Sequence, residues 1–156
     1  MTRRRPRLFV SSVGAAAALC ATAVLLASAA ASSHGVIVLG SKNYIVHGGA
    51  VGYGTSRPTE IFNGGDPSGD ITHIHWSSWG GNVAVGQGRY DLSRPHGGYY
   101  LKLVTIELRA YDIGRCTREG PSAYLKLAIR TPLRPGRPLA SWSLWQGLND
   151  TLCSYL

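Results

Sequence analysis

The stretch "YYLKLVTIELRAYD" (99–112) constrains this chain most. Tyr100, Val104, Ile106, Leu108 and Ala110 recur at period two, with Thr105, Glu107 and Arg109 between them. Period-two alternation puts one set of side chains on each side of an extended strand. "AYLKLAIRT" (123–131) repeats the pattern, with Ala123, Leu125, Leu127 and Ile129 on one side and Lys126 and Arg130 opposite. "IGRCTREGPS" lies between them and turns the chain around, so residues 100–112 and 122–130 are expected to pair.

The rest is cut into short pieces by turn formers. "HGVIVLG", "HGGAVGYG" and "NGGDPSGD" punctuate residues 32–70, and "PLRPGRP" is a stiff connection before a last strand in "LASWSLWQ". No stretch beyond residue 31 keeps a helical period. Regular short strands between Gly and Pro turns predict an all-β domain, a small antiparallel sandwich or barrel of about six to eight strands. A Gly-rich segment at 32–70 and a core at 71–156 then belong to one domain.

Residues 71–90 read as a hairpin. "ITHIHWSSW" alternates, Gly80-Gly81-Asn82 supplies turn chemistry, and "NVAVGQGRY" returns. Ala84, Gly86 and Gly88 fall on one side of the return strand, a small-residue face that admits a close neighbour. Strand parity predicts that Ile74 and Trp76 are buried and that His73 and His75 share the exposed side. It also sends Trp76 and Trp79 to opposite faces.

The N-terminus concerns location. Arg3, Arg4, Arg5 and Arg7 precede an uncharged run from Leu8 to Ala31 that ends in small residues. This order reads as a helical secretory signal peptide, residues 1–31, cleaved near Ala29–Ala31. Left uncleaved, the run is long enough to anchor the chain in a membrane, the one membrane association expected. Cleavage leaves twelve Lys and Arg against eight Asp and Glu, about +4 on about 125 residues. Those charges are scattered singly, which argues against a nucleic-acid surface. Two cysteines remain, Cys116 and Cys153. In an oxidising compartment the simplest reading is one disulfide across 37 positions, removing roughly 4 kcal/mol of chain entropy from the unfolded state.

The segments "HIHWSSWGG" (73–81), "AVGQG" (84–88), "RAYDIGRC" (109–116) and "AYLKL" (123–127) carry a resemblance. With its signal peptide, W-x-S-W-G, A-x-G-x-G and A-Y-D-x-G-x-C, the chain resembles a group of small, uncharacterised secreted proteins of actinobacteria over roughly residues 63–130. The resemblance implies a compartment and a lineage, not an activity.

Three functions follow as expectations. The first is a secreted, non-catalytic β-domain that binds a cell-wall glycan or a secreted or surface protein, with Trp79, Tyr99 and Tyr111 as the contact aromatics. No catalytic serine motif or paired-carboxylate spacing stands out. The second is a metal-dependent hydrolase. His73 and His75, two apart on a strand, suit zinc, with His96, His47, Asp91 or Asp112 as a third ligand. The third is a small protease inhibitor presenting Arg118 of "TREGPS".

Overall fold

The computed structural model describes residues 35–44, 50–65, 67–145 and 151–153. The signal-peptide reading and His47 lie outside them. The described residues are all-β. The strands are β1 (Val38–Leu39), β2 (Ile61–Phe62), β3 (Asp70–Ser78), β4 (Val83–Tyr90), β5 (Val104–Arg115), β6 (Ser122–Arg130) and β7 (Ser143–Leu144), with a 3-10 turn at Pro67–Gly69 before β3. They form a single curled sheet, a half-barrel, in the order β1-β6-β5-β4-β3-β2. Both expected hairpins are present: β3 pairs antiparallel with β4, and β5 with β6. The sheet is mixed rather than wholly antiparallel, because β1 runs parallel to β6. No helix among the described residues is long and apolar enough to cross a membrane.

The alternation of β5 is realised as read. Val104, Ile106, Leu108 and Ala110 are buried in the core. Tyr100 packs against that core from the preceding loop, not from the strand. On β4, Ala84, Gly86 and Gly88 line the same inner face. The glycines are needed there. A Cβ on Gly86 would lie 2.9 Å from Cε3 of Trp76, and one on Gly88 2.7 Å from Cγ2 of Ile71.

β3 departs from its parity. Thr72 pairs with Arg89 and His75 with Gln87, three residues advancing against two. Trp76 then pairs with Gly86 and Ser78 with Val85, two against one. Each is a β-bulge, and each extra residue flips the faces of everything after it. Ile71, Ile74, Trp76 and Trp79 therefore all face inward, at spacings of three, two and three. The expectation that Trp76 and Trp79 point to opposite faces is corrected: their rings meet edge-on at 4.6 Å. Ile74 is buried, Trp76 is half-buried, and His73 and His75 are exposed. His73 takes a left-handed backbone conformation (φ +51) at the first bulge. At the second, Ser77 Oγ donates to Val85 O and Ser78 Oγ accepts from Val85 N–H, each at 3.0 Å. The two hydroxyls replace ladder partners that the bulge removes.

A second irregularity sits in β5. Asp112 has φ +63, and beyond it the inward side changes. Ile113 packs on the core, and its partner Tyr124 is fully buried. Tyr124, not Leu125, joins Leu127 and Ile129 in the core, correcting the simple alternation of β6; Leu125 instead packs over Gly114.

Three tryptophans tie residues 35–65 across the inner face. Trp79 donates its indole N–H to Ile37 O at 2.9 Å, and Trp76 donates to Pro58 O at 2.8 Å. Trp145 donates to Tyr53 Oη at 3.0 Å and to Asn63 Oδ1 at 3.2 Å, while Tyr53 also donates to Asn63. Tyr124 bridges the curl. It accepts from Gly80 N–H and donates to Gly81 O, fastening the end of β3 to β6. The outer edge of β6 is covered along its length. β1 pairs at Ala123 and Tyr124, Leu152 N–H donates to Leu125 O, Trp145 N–H to Leu127 O, and β7 pairs at Ala128 and Ile129. Covering an edge in this way blocks pairing with other chains. Cys116 and Cys153 are bonded, with Cα atoms 4.9 Å apart. The bond holds the segment carrying Leu152, which is 1% exposed, against β6.

Candidate functional site

The outer face of β3–β6 is built by register. His75 pairs with Gln87, Gln87 with Glu107 and Glu107 with Arg130, giving one polar row across four strands. Side chains directly opposite in neighbouring strands share a face at about 5 Å. Glu107 Oε2 accepts from Arg130 Nε at 2.8 Å and lies 2.7 Å from Arg130 Nη2; neither contact uses Oε1. The next row holds Val85, Arg109, Ala128 and Leu144. The ring centre of the half-buried Trp142 lies 4.5 Å from the Arg109 guanidinium and 5.1 Å from that of Arg130. The indole N–H of Trp142 has no partner among the described residues. A hollow of about 290 Å³ opens beside the polar row, lined by His75, Ser77, Val85, Gly86, Gln87 and Glu107.

Two of the four cations of this face have a carboxylate beside them, and two, Arg89 and Arg109, do not. Arg130 pairs with Glu107, and Lys126 lies 3.6 Å from Asp112. Arg89 donates to Thr105 Oγ1 at 2.8 Å and to Leu103 O at 2.7 Å. What remains for a partner is an amide, an imidazole, hydroxyls, an indole N–H and the guanidinium of Arg109 stacked on that indole.

The predicted contact aromatics are not brought together. Trp79 is turned inward, packed against Trp76 and Tyr124, so its expected role as an exposed platform is corrected. The second bulge is the cause. Tyr99 sits in the β4–β5 loop, bridged to Ser93. Tyr111 lies in the outer-face row between Val83 and Lys126. Of the histidines, His75 belongs to the outer face, His73 stands on the first bulge with Nδ1 3.0 Å from Thr72 Oγ1, and His96 is exposed in the β4–β5 loop. No group of three His, Cys, Asp or Glu among the described residues is arranged to hold a metal ion. Arg118 occupies a tight turn closed by the Gly120 N–H to Thr117 O bond at 3.1 Å. That is unlike the extended main chain that proteases pair with along a strand edge.

Sequence reasoning missed Trp142, Gln87, Glu107 and Arg130 as one group. Each was readable as a solvent-side residue, but only the register aligns them. Trp142 and Trp145 lie three apart and face opposite sides, as strand parity sends them, and that parity was the available signal for Trp142.

Two groups elsewhere are perturbed. Asp70 has its pKa raised, first by desolvation and then by the charges of Glu60 and Asp91; its Oδ1 is buried without a hydrogen-bond partner. The Tyr124 hydroxyl is pushed up by burial, opposed by the Gly80 N–H. Neither group borders the outer-face row. No protein family, curated protein or solved structure matches the chain.

Proposed function

We propose that this protein is a secreted, non-catalytic β-domain that acts as a binding module at or outside the cell surface. The outer face of β3–β6 is its contact surface. One observation carries this reading: a polar row, His75–Gln87–Glu107–Arg130, runs across four strands and is flanked by a half-buried tryptophan whose N–H has no partner among the described residues. The indoles of Trp76, Trp79 and Trp145 and the hydroxyl of Tyr124 are used in holding the fold together, whereas these groups stand on the sheet with hydrogen-bonding capacity to spare. Tryptophan and arginine side by side are also the residues that dominate contact energies in binding surfaces. The bonded Cys116–Cys153 pair and the basic-then-apolar N-terminus support export to an oxidising compartment. So does the resemblance to small secreted actinobacterial proteins.

The test is retention on isolated cell envelopes. The purified wild-type protein is expected to co-sediment with them, and Trp142→Ala and Gln87→Ala variants to stay in solution while remaining cooperatively folded. Equal retention of folded variants and wild type would remove the outer face as the contact surface.

A further inference from the structure

Resting on that reading, we infer that the occupant of the outer face is a neutral glycan chain lying across the strands. Its hydroxyl and amide groups are read by His75, Gln87, Glu107 and Arg130, and one sugar ring packs at Trp142. Three features of the face favour this chemistry.

The first is charge. Glu107 pairs with Arg130 and Asp112 lies 3.6 Å from Lys126, while Arg89, engaged by Thr105 and Leu103, and Arg109, stacked on Trp142, are single cations on separate rows. A highly acidic polymer or peptide would find no free cationic cluster. Hydroxyl groups, which both donate and accept, fit what is left. Glu107 accepts through Oε1, the Gln87 amide donates and accepts, the His75 ring does either, and the Trp142 N–H donates.

The second is area. Four strands at about 4.8 Å spacing and some eight residues long at about 3.3 Å each offer on the order of 500 Å². A stable protein interface takes about 800 Å² from each partner. The figure for the face is a flat footprint, and its accessible area is larger, so size alone admits a protein; the single polar row across the strands suits an extended chain.

The third is shape. The polar row spans three inter-strand steps, about 14 Å, long enough for a short run of sugar rings. The hollow beside it, about 290 Å³, lies at the lower end of the range for small-ligand sites, which begins at roughly 300 Å³. It is placed for one ring at the His75–Glu107 end, with Trp142 at the other. An aromatic ring combined with neighbouring polar side chains matches a sugar, which has apolar C–H faces and a polar rim.

The experiment is a titration of the ¹⁵N-labelled protein with β-1,4-linked tetramers to hexamers of glucose and of N-acetylglucosamine, followed through the four indole N–H resonances. The Trp142 resonance is expected to shift while those of Trp76, Trp79 and Trp145 hold still. Gln87→Ala should weaken binding by about 3- to 10-fold and Trp142→Ala by more than about 10-fold. No shift of Trp142 with either series at millimolar sugar, or shifts confined to the other indoles, overturns the inference. The envelope assay separates this failure from that of the binding reading. If retention depends on Trp142 but survives glycan hydrolysis and is lost on protease treatment of the envelopes, the face binds a protein and the glycan inference falls. If retention is lost on glycan hydrolysis and survives protease treatment, the inference is supported.

Discussion

The two faces of this one sheet use the same residue type for different ends. On the inner side Trp76, Trp79 and Trp145 are packed against the core, and each donates its indole N–H to residues 35–65. On the outer side Trp142 rests near Arg109 and Arg130, and its N–H has no partner among the described residues. A buried indole must find an acceptor, because an orphaned buried donor costs about 1–3 kcal/mol. Trp145 is buried, but Trp76, Trp79 and Trp142 are all half-buried, so what sets Trp142 apart is the acceptor that the other indoles have found. The partner of the N–H therefore separates the tryptophans that hold the fold from the one free to bind.

The largest effect expected is loss of the disulfide that holds the tail along the edge of β6. Cys116→Ser with Cys153→Ser removes a closure across 37 positions and should lower stability by roughly 4 kcal/mol in urea unfolding. A loss under ~1 kcal/mol would mean that the Leu152 contacts hold the tail unaided.

Next comes Trp79→Ala, which deletes a ring packed between Trp76 and Tyr124 and should cost about 3 kcal/mol. The matching outer variant, Trp142→Ala, should cost no more than about 1 kcal/mol, the scale of exposed cation–π contacts. Similar losses in the two would abolish the distinction between the faces.

Gly86→Ala tests how tightly the inner face is packed. The new methyl meets Trp76 at 2.9 Å and should cost about 1–3 kcal/mol by thermal unfolding, whereas the outer-face Gln87→Ala should be near neutral. Smallest is Asp70→Asn. Its carboxyl titrates above the ordinary range, so the folded state is penalised by the charge at neutral pH, and the penalty fades as pH falls through the raised pKa toward the unfolded value. The variant should melt slightly higher than wild type at pH 7, with the gap closing in acid. A gap that widens in acid would contradict the sign.

These contrasts also indicate how far the sequence could be read. Strict alternation in β5 reports its faces directly, because nothing before Asp112 interrupts the pleat. The small face of Ala84, Gly86 and Gly88 likewise announced a close approach, and the approaching ring is Trp76. β3 misled because parity arguments assume an unbroken ladder. Its two bulges turn on His73, Ser77 and Ser78, polar residues that also occur in regular strands. The apolar spacing Ile71, Ile74, Trp76, Trp79 was their visible trace. The outer row was hidden for another reason. Residues 75, 87, 107 and 130 share no local pattern, and cross-strand register combines turns, bulges and strand lengths across the whole sheet.

The division of labour among the tryptophans can be measured directly as the hydrogen-exchange rates of the four indole N–H groups in the free protein. The hydrogen bonds to Ile37, Pro58, Tyr53 and Asn63 predict slow exchange at Trp79, Trp76 and Trp145 and near-solvent exchange at Trp142. Protection of Trp142 equal to that of the other three, or rapid exchange at Trp79, would contradict the account.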